Sequence, residues 1–251
     1  MAHFDKLTWL PDRLLAGELV FRNEYNKNAD WELGEACIPL IKTKGLMNAY
    51  REFFARRPDF TPSRIFEIGM FSGGSIALWY EIFEPAKIVG IDLQANRENG
   101  YFQRYVADNG LGDRIKTYWS VNQADSSALS QIVQRELPDG IDIVFDDASH
   151  LYGPTKRSFE TLFPLLRAGG FYIVEDWNWA HTPAFQQEDS IWRSEVALTQ
   201  LIFDLVEAAG SSGHIASLFV SNGFAAVEKS ALPLDAKADF RLEDVILRRN
   251  G

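Results

Sequence analysis

The sequence predicts an α/β fold in which a mostly parallel sheet ends in an antiparallel hairpin, and three observations predict it. From Arg64 onward, short apolar runs alternate with amphipathic stretches, the pattern of a parallel sheet covered by helices. A glycine turn, Gly69 to Gly74, joins the first apolar run to the first helical stretch. Further on, Ser221-Asn222-Gly223 separates two apolar runs and is a strong hairpin signal. A chain of 251 residues with 46% hydrophobic and 24% charged residues suits one globular domain, or one domain with a cap.

Residues 1–60 mix aromatics with charges and read as a helical or irregular cap and oligomer contact. No linker rich in Gly, Ser or Pro separates them from the main domain, 61–251. The parallel strands are expected at Arg64–Gly69, Lys87–Leu93, Arg114–Trp119, Ile141–Phe145 and Gly170–Val174. Between them lie helices expected at Gly74–Phe83, Arg97–Asn109, Ser126–Glu136 and Pro154–Leu166. In the last, Phe159, Leu162, Phe163 and Leu166 follow the i, i+3, i+4, i+7 spacing of one helical face, Pro154 suits a first turn, and Gly169-Gly170 is a stop. The polar, Trp- and Gln-bearing stretch from Trp177 to Ser190 is too irregular for a regular element and reads as a loop over the site. A helix over Ile191–Ala209 and the strands Ile215–Val220 and Phe224–Glu228 complete a sheet of five parallel strands and two antiparallel ones.

Charge narrows the partners. Asp and Glu number 35 against 25 Lys and Arg, a net charge of −10 with no basic patch, which disfavours phosphate backbones and anionic membranes. No apolar run approaches the roughly 18 residues of a membrane-crossing helix, and the first residues lack a basic, then apolar, secretory pattern. The single cysteine, Cys37, forms no internal disulfide and suits a reducing cytoplasm.

The first strand runs into Gly69-Met70-Phe71-Ser72-Gly73-Gly74, and glycines there let a ligand approach the backbone at a helix N-terminus. A dinucleotide fingerprint reads G-x-G-x-x-G, whereas the spacing here is G-x-x-x-G-G with Glu67 two residues before the first glycine. An acid at that place opposes a pyrophosphate and favours a cationic, phosphate-free ligand such as S-adenosylmethionine. Asp92, closing the second strand, suits ribose hydroxyls, and Gln123 and Asp125, after the third, suit adenine. The cofactor set is therefore Glu67, Gly69, Ser72, Gly73, Asp92, Gln123 and Asp125, with Asp146 beside them. The plainer alternative makes the glycines turn residues and Asp92 a helix cap.

The fourth and fifth strands end in Asp146-Asp147-Ala148-Ser149-His150 and Glu175-Asp176. Consecutive parallel strands are usually neighbours, about 4.8 Å apart, so Asp147, Glu175 and Asp176 meet at the sheet edge where α/β proteins bind ligands. Three carboxylates repel one another, and a hard divalent cation with oxygen ligands, Mg²⁺, resolves that repulsion. His150, three residues beyond Asp147, is placed to take the proton of a hydroxyl bound there. Asp146 reads as support for the ligands. The alternative is a helix cap at Asp147, a loop donor at His150 and solvated acids at 175 and 176. Trp177 and Trp179 read equally as an apolar wall for a sugar or as lid packing, and His181 as a solvated loop residue.

Phe66–Ser75, Asp92, Gln123-Ala124-Asp125, Asp146 to His150 and Leu165–Asp176 resemble the class I S-adenosylmethionine-dependent methyltransferases. More narrowly they are similar to the Mg²⁺-dependent sugar O-methyltransferases of macrolide pathways. Trp31-Glu32-Leu33-Gly34, Ile41-Lys42 and Tyr50-Arg51-Glu52 are similar to the cephalosporin hydroxylase or rhamnosyl O-methyltransferase group. The resemblance implies a Rossmann-like seven-stranded domain, metal ligands at Asp147, Glu175 and Asp176, a catalytic His150, and a homo-oligomer formed through the N-terminal region. The expected function is methylation of a sugar hydroxyl on a glycosylated natural product or nucleotide sugar. A catechol-like phenol is the alternative acceptor within the fold, and a cofactor-binding subunit without catalysis is the alternative outside it. A nicotinamide dehydrogenase is disfavoured by the glycine spacing, and a hydroxylase by the lack of a two-histidine, one-carboxylate iron motif.

Overall fold

The computed structural model describes residues 2–22, 36–234 and 239–247. The chain divides into two compact units, Met1–Ser120 and Val121–Gly251.

In the first unit, β1 (Leu7–Trp9), β2 (Arg13–Ala16), β3 (Leu19–Arg22) and β4 (Ile38–Pro39) form a small sheet in that order. The first three are antiparallel, and β4 runs parallel to β3. This corrects the expectation of a helical or irregular cap over 1–60. The reason is local: Leu14, Ala16, Leu19 and Phe21 alternate onto a buried face, and Gly17 turns β2 into β3 with φ +58°. An α-helix does occur here, α1 (Lys44–Ala55), which starts where Thr43 Oγ1 accepts the Leu46 N–H at 3.1 Å. It buries Met47, Tyr50, Phe53 and Phe54, and the Tyr50 ring meets Trp79 edge-on at 5.1 Å. The motif Trp31-Glu32-Leu33-Gly34 lies outside the described residues.

The unit continues with β5 (Arg64–Ile68), α2 (Gly74–Phe83), β6 (Lys87–Ile91), α3 (Gly100–Asp108) and β7 (Ile115–Tyr118). β5 pairs with β6 and β6 with β7, both parallel. α2 is buried on nearly every side, as an apolar helix between covering layers must be. A Cβ at Gly74 would lie 2.1 Å from the Pro39 carbonyl oxygen, so only glycine lets the chain after β4 lie against the start of α2.

The second unit contains α4 (Ser126–Glu136), β8 (Ile141–Asp146), α5 (Tyr152–Leu162), β9 (Leu166–Glu175), α6 (Ile191–Ser194), α7 (Thr199–Ser211), β10 (Ile215–Val220), β11 (Phe224–Lys229) and α8 (Leu242–Val245). β8 and β9 are parallel, whereas β11 runs antiparallel to both β9 and β10. At the hairpin tip the Ser221 N–H donates to the Phe224 carbonyl at 2.9 Å. Over the whole chain the order β10-β11-β9-β8-β5-β6-β7 gives the mostly parallel seven-stranded sheet with its terminal hairpin.

Two boundaries differ from expectation. α5 ends at Leu162, before Pro164, which lies in a 3₁₀ turn over Phe163–Leu165, so the stop precedes Gly169-Gly170 and β9 begins at Leu166. The helix expected over Ile191–Ala209 is broken, because Glu195 is extended at φ −93°, ψ 161° and α7 restarts at Thr199.

Candidate active site

In the first unit, β5 delivers Glu67 and then the glycine turn. Gly69 and Gly73 have φ of +85° and +89°, a region that only glycine enters without strain. Phe71 joins them at +51° because the Asp92 carboxylate holds its backbone: Oδ2 accepts the Phe71 N–H at 2.9 Å and Oδ1 the Gln94 N–H at 2.8 Å. Asp92 therefore ties the end of β6 to the turn after β5. The Ser72 carbonyl accepts the Asn99 N–H at 3.4 Å, and the ring of Phe102 underlies Gly73.

Glu67 is fully buried, and its Oε1 accepts the indole N–H of Trp79 at 3.1 Å. The ammonium of Lys42, also buried, lies 5.5 Å from the centre of the same indole ring. Trp79 thus has a cation over its face and a carboxylate at its edge. Lys42 received no role from sequence alone, since neither spacing nor composition marks one lysine as interior.

In the second unit, the ends of β8 and β9 bring together Asp147, His150 and Asp176, with one ligand-type atom from each lying within 4.8 Å of the others. His150 Nε2 is 3.9 Å from Asp147 Oδ1, and the His150 side chain is 9% exposed. Both His150 and Asp176 have left-handed backbones, φ +53° and +54°, uncommon for residues other than glycine and costly unless the surroundings enforce them. Glu175, the last residue of β9, is 1% exposed and is not one of the three clustered residues.

Asp146 and Gln123 lie beneath this loop. Asp146 accepts from Tyr172 Oη at 2.5 Å, Ser158 Oγ at 2.7 Å and Gln123 Nε2 at 3.2 Å. Burial pushes its carboxyl up to about 6 against the pull of these donors. Gln123 Oε1 in turn accepts the Ser149 N–H at 3.1 Å, next to His150. Gln123, expected at the adenine, and Asp146, expected as support for the ligands, thus form a buried network under the loop that carries His150. Asp125, exposed, caps α4 by accepting the Ala128 N–H at 3.0 Å.

The stretch after Asp176 forms short 3₁₀ turns at Trp179–His181 and Pro183–Phe185 rather than an unstructured loop. Trp179 packs on the His150 imidazole with ring centres 4.0 Å apart, Phe185 stacks on Trp179 at 4.0 Å, and Trp192 meets Trp179 edge-on at 4.7 Å. Trp177 instead donates its indole N–H to the Ser221 carbonyl, and His181 Nε2 lies 2.8 Å from Thr199 Oγ1.

Two carboxylates converging with an imidazole fit a divalent cation: their mutual repulsion is relieved by positive charge, and oxygen donors suit Mg²⁺. The glycine turn at a helix N-terminus and the strand-end Asp92 fit a ligand that carries a ribose. Among the described residues, no helix is long and apolar enough to cross a membrane.

Residues 66–177 match a family described as a methyltransferase domain. A tetracenomycin rhamnosyl 3'-O-methyltransferase from Streptomyces olivaceus is 34% identical over 143 residues, covering 54% of this chain and 33% of that protein. The mycinamicin VI 2''-O-methyltransferase of Micromonospora griseorubida is 34% identical over 131 residues, covering 49% and 29%. Among solved structures, the MycE methyltransferase of mycinamycin biosynthesis, in complex with Mg, SAH and mycinamycin VI, matches with a TM-score of 0.55 and 29% identity, covering 73% of this chain and 49% of that one. The chain spans less than half the length of these relatives. Its fold is that of the class I methyltransferases, and it resembles the sugar O-methyltransferases of macrolide pathways.

Proposed function

With a methyltransferase domain over residues 66–177 as premise, we propose that the protein methylates a sugar hydroxyl, using S-adenosylmethionine and Mg²⁺. The observation that carries this reading is the convergence of Asp147, His150 and Asp176 within 4.8 Å, in a chain that also carries a glycine turn of the G-x-x-x-G-G type. Asp147 and Asp176 are the proposed metal ligands, and Glu175, the residue before Asp176, is proposed to support them. Glu67, Gly69, Ser72, Gly73 and Asp92 are the proposed cofactor residues, while Gln123, Asp125 and Asp146 act through the loops they brace.

When bound, the cofactor supplies an electrophilic methyl group and the cation lowers the pKa of a hydroxyl beside it. His150 takes the hydroxyl proton at Nε2, and the Asp147 carboxylate stabilises the imidazolium that results. The His150 ring is shielded by Trp179, which keeps water off the base. Asp92 holds the glycine turn in its open shape through the Phe71 N–H.

The relatives named above act, by their names, on a rhamnosylated tetracenomycin and on mycinamicin VI, which supports a rhamnose-like deoxysugar of an antibiotic-type glycoside as the acceptor. A homo-oligomer in the cytoplasm belongs to the same reading, and light scattering of the purified chain tests the assembly. The function is tested by offering the purified protein labelled S-adenosylmethionine, Mg²⁺ and a panel of rhamnosides, nucleotide sugars and catechols. Label on a rhamnoside hydroxyl, lost with EDTA and in His150→Ala, is the expected result. Label on catechols alone overturns the sugar, and full activity in EDTA removes the metal.

A further inference from the structure

The aromatic side chains that follow the carboxylate cluster are arranged around one residue. Phe185, Trp179 and His150 form a column with ring centres spaced 4.0 Å and 4.0 Å, Trp179 lying nearly parallel to Phe185 at 7° and tilted by 46° to His150. Trp192 closes the side of the column, edge-on to both Trp179 and Phe185, and its indole N–H donates at 3.0 Å to the carbonyl of Ser149. The column is also anchored at its origin, because the Trp179 N–H donates to the Asp176 carbonyl at 3.3 Å. The space enclosed by His150, Leu151, Trp177, Trp179, Trp192 and Leu198 is about 10 Å³, room for no more than one water.

We infer that Trp179 is a positioning residue for His150. The imidazole sits on a left-handed backbone at φ +53°, a conformation that the surrounding structure must hold. The Trp179 ring packs against that ring at 4.0 Å, tilted by 46°, and leaves its Nε2 on the side of Asp147, 3.9 Å away. The enclosed space is too small for a sugar, so Trp179 acts through His150, not as a wall of that space against the acceptor. Trp192 adds a hydrogen bond to the residue before His150, so ring and backbone are held by one aromatic unit. Displacing a reacting group by about 1 Å costs rate on the order of 100-fold while leaving distant binding alone.

This inference rests on the proposed role of His150 as base, and the experiment separates the two. Trp179→Ala, Trp179→Phe and His150→Ala are compared in methyl transfer to the rhamnoside identified from the panel, together with binding of S-adenosylhomocysteine and reaction of His150 with diethylpyrocarbonate followed by peptide mass spectrometry. In Trp179→Ala, kcat is expected to fall about 10- to 100-fold, with KM for the acceptor and affinity for S-adenosylhomocysteine within about twofold. His150 becomes faster to acylate, and Trp179→Phe, which keeps a ring on the imidazole, restores most of kcat and of the protection. If Trp179→Ala does not fold, Trp179→Leu, which keeps apolar bulk without a ring, carries the same expectation. An inactive His150→Ala beside an unimpaired Trp179→Ala overturns the inference alone. A raised acceptor KM with kcat intact also overturns it and makes Trp179 an acceptor wall. Full activity of His150→Ala removes the base and the inference together.

Discussion

The phenolic hydroxyl of Tyr172 donates to Asp146 Oδ2 at 2.5 Å, in an interior where both side chains are buried. The same carboxylate accepts from Ser158 and Gln123, and Gln123 accepts from the Ser149 N–H. The strand β9 thus reaches, through three side chains, the loop that carries His150. Removing one donor leaves a buried carboxylate under-satisfied, at a cost of about 1–3 kcal/mol. Tyr172→Phe is expected to lose that much stability in urea denaturation, with an unchanged m-value. A loss below about 0.5 kcal/mol would show that the surrounding groups replace the bond.

The carboxylates are not equivalent. Asp147 and Asp176 share the three-residue cluster with His150, whereas Glu175 lies on the strand just before it. Asp147→Asn and Asp176→Asn are expected to weaken Mg²⁺ binding, read by titration calorimetry, by roughly 100-fold or more, and Glu175→Gln by about tenfold, the scale of a group that supports a ligand. Equal losses for all three would make Glu175 a full ligand, and no loss in any would dismiss the metal site.

Much of this was legible because the physics involved is local or periodic. The glycine turn, Asp92 and the apolar runs from Arg64 to Val174 announce β-α-β units, and parallel neighbours oblige residues at the ends of β8 and β9 to meet, as Asp147 and Asp176 do. The sheet near the N-terminus was missed although Leu14, Ala16, Leu19 and Phe21 alternate around Gly17, since strands of three or four residues carry a weak signal beside scattered aromatics. Trp179, Phe185 and Trp192 share no period, and their convergence on His150 depends on two 3₁₀ turns that spacing does not encode. Gln123 and Asp146 were recognisable as important but not as buried, because a polar side chain reveals its partners only once Tyr172 and Ser158 are placed.

Lys229, on β11, offers a pH-dependent test far from the carboxylate cluster in sequence. Its buried ammonium donates to the Pro164 carbonyl at 2.5 Å and the Leu166 carbonyl at 2.6 Å, closing the turn between α5 and β9. Burial holds its pKa below the ordinary 10.5. A base whose pKa is lower folded than unfolded releases its proton first in the folded state, so stability from this group rises with pH between the two values and is flat below both. Lys229→Met strips two buried carbonyls of their donor and is expected to cost about 1–3 kcal/mol at pH 7. The gap between wild type and variant should then widen as pH approaches 10.5, because only the wild type gains. Urea denaturation of both proteins at pH 7 and at successively higher pH reads this directly. A gap that stays constant would mean that the ammonium is as well solvated folded as unfolded, and a gap that narrows would reverse the sign of its burial effect.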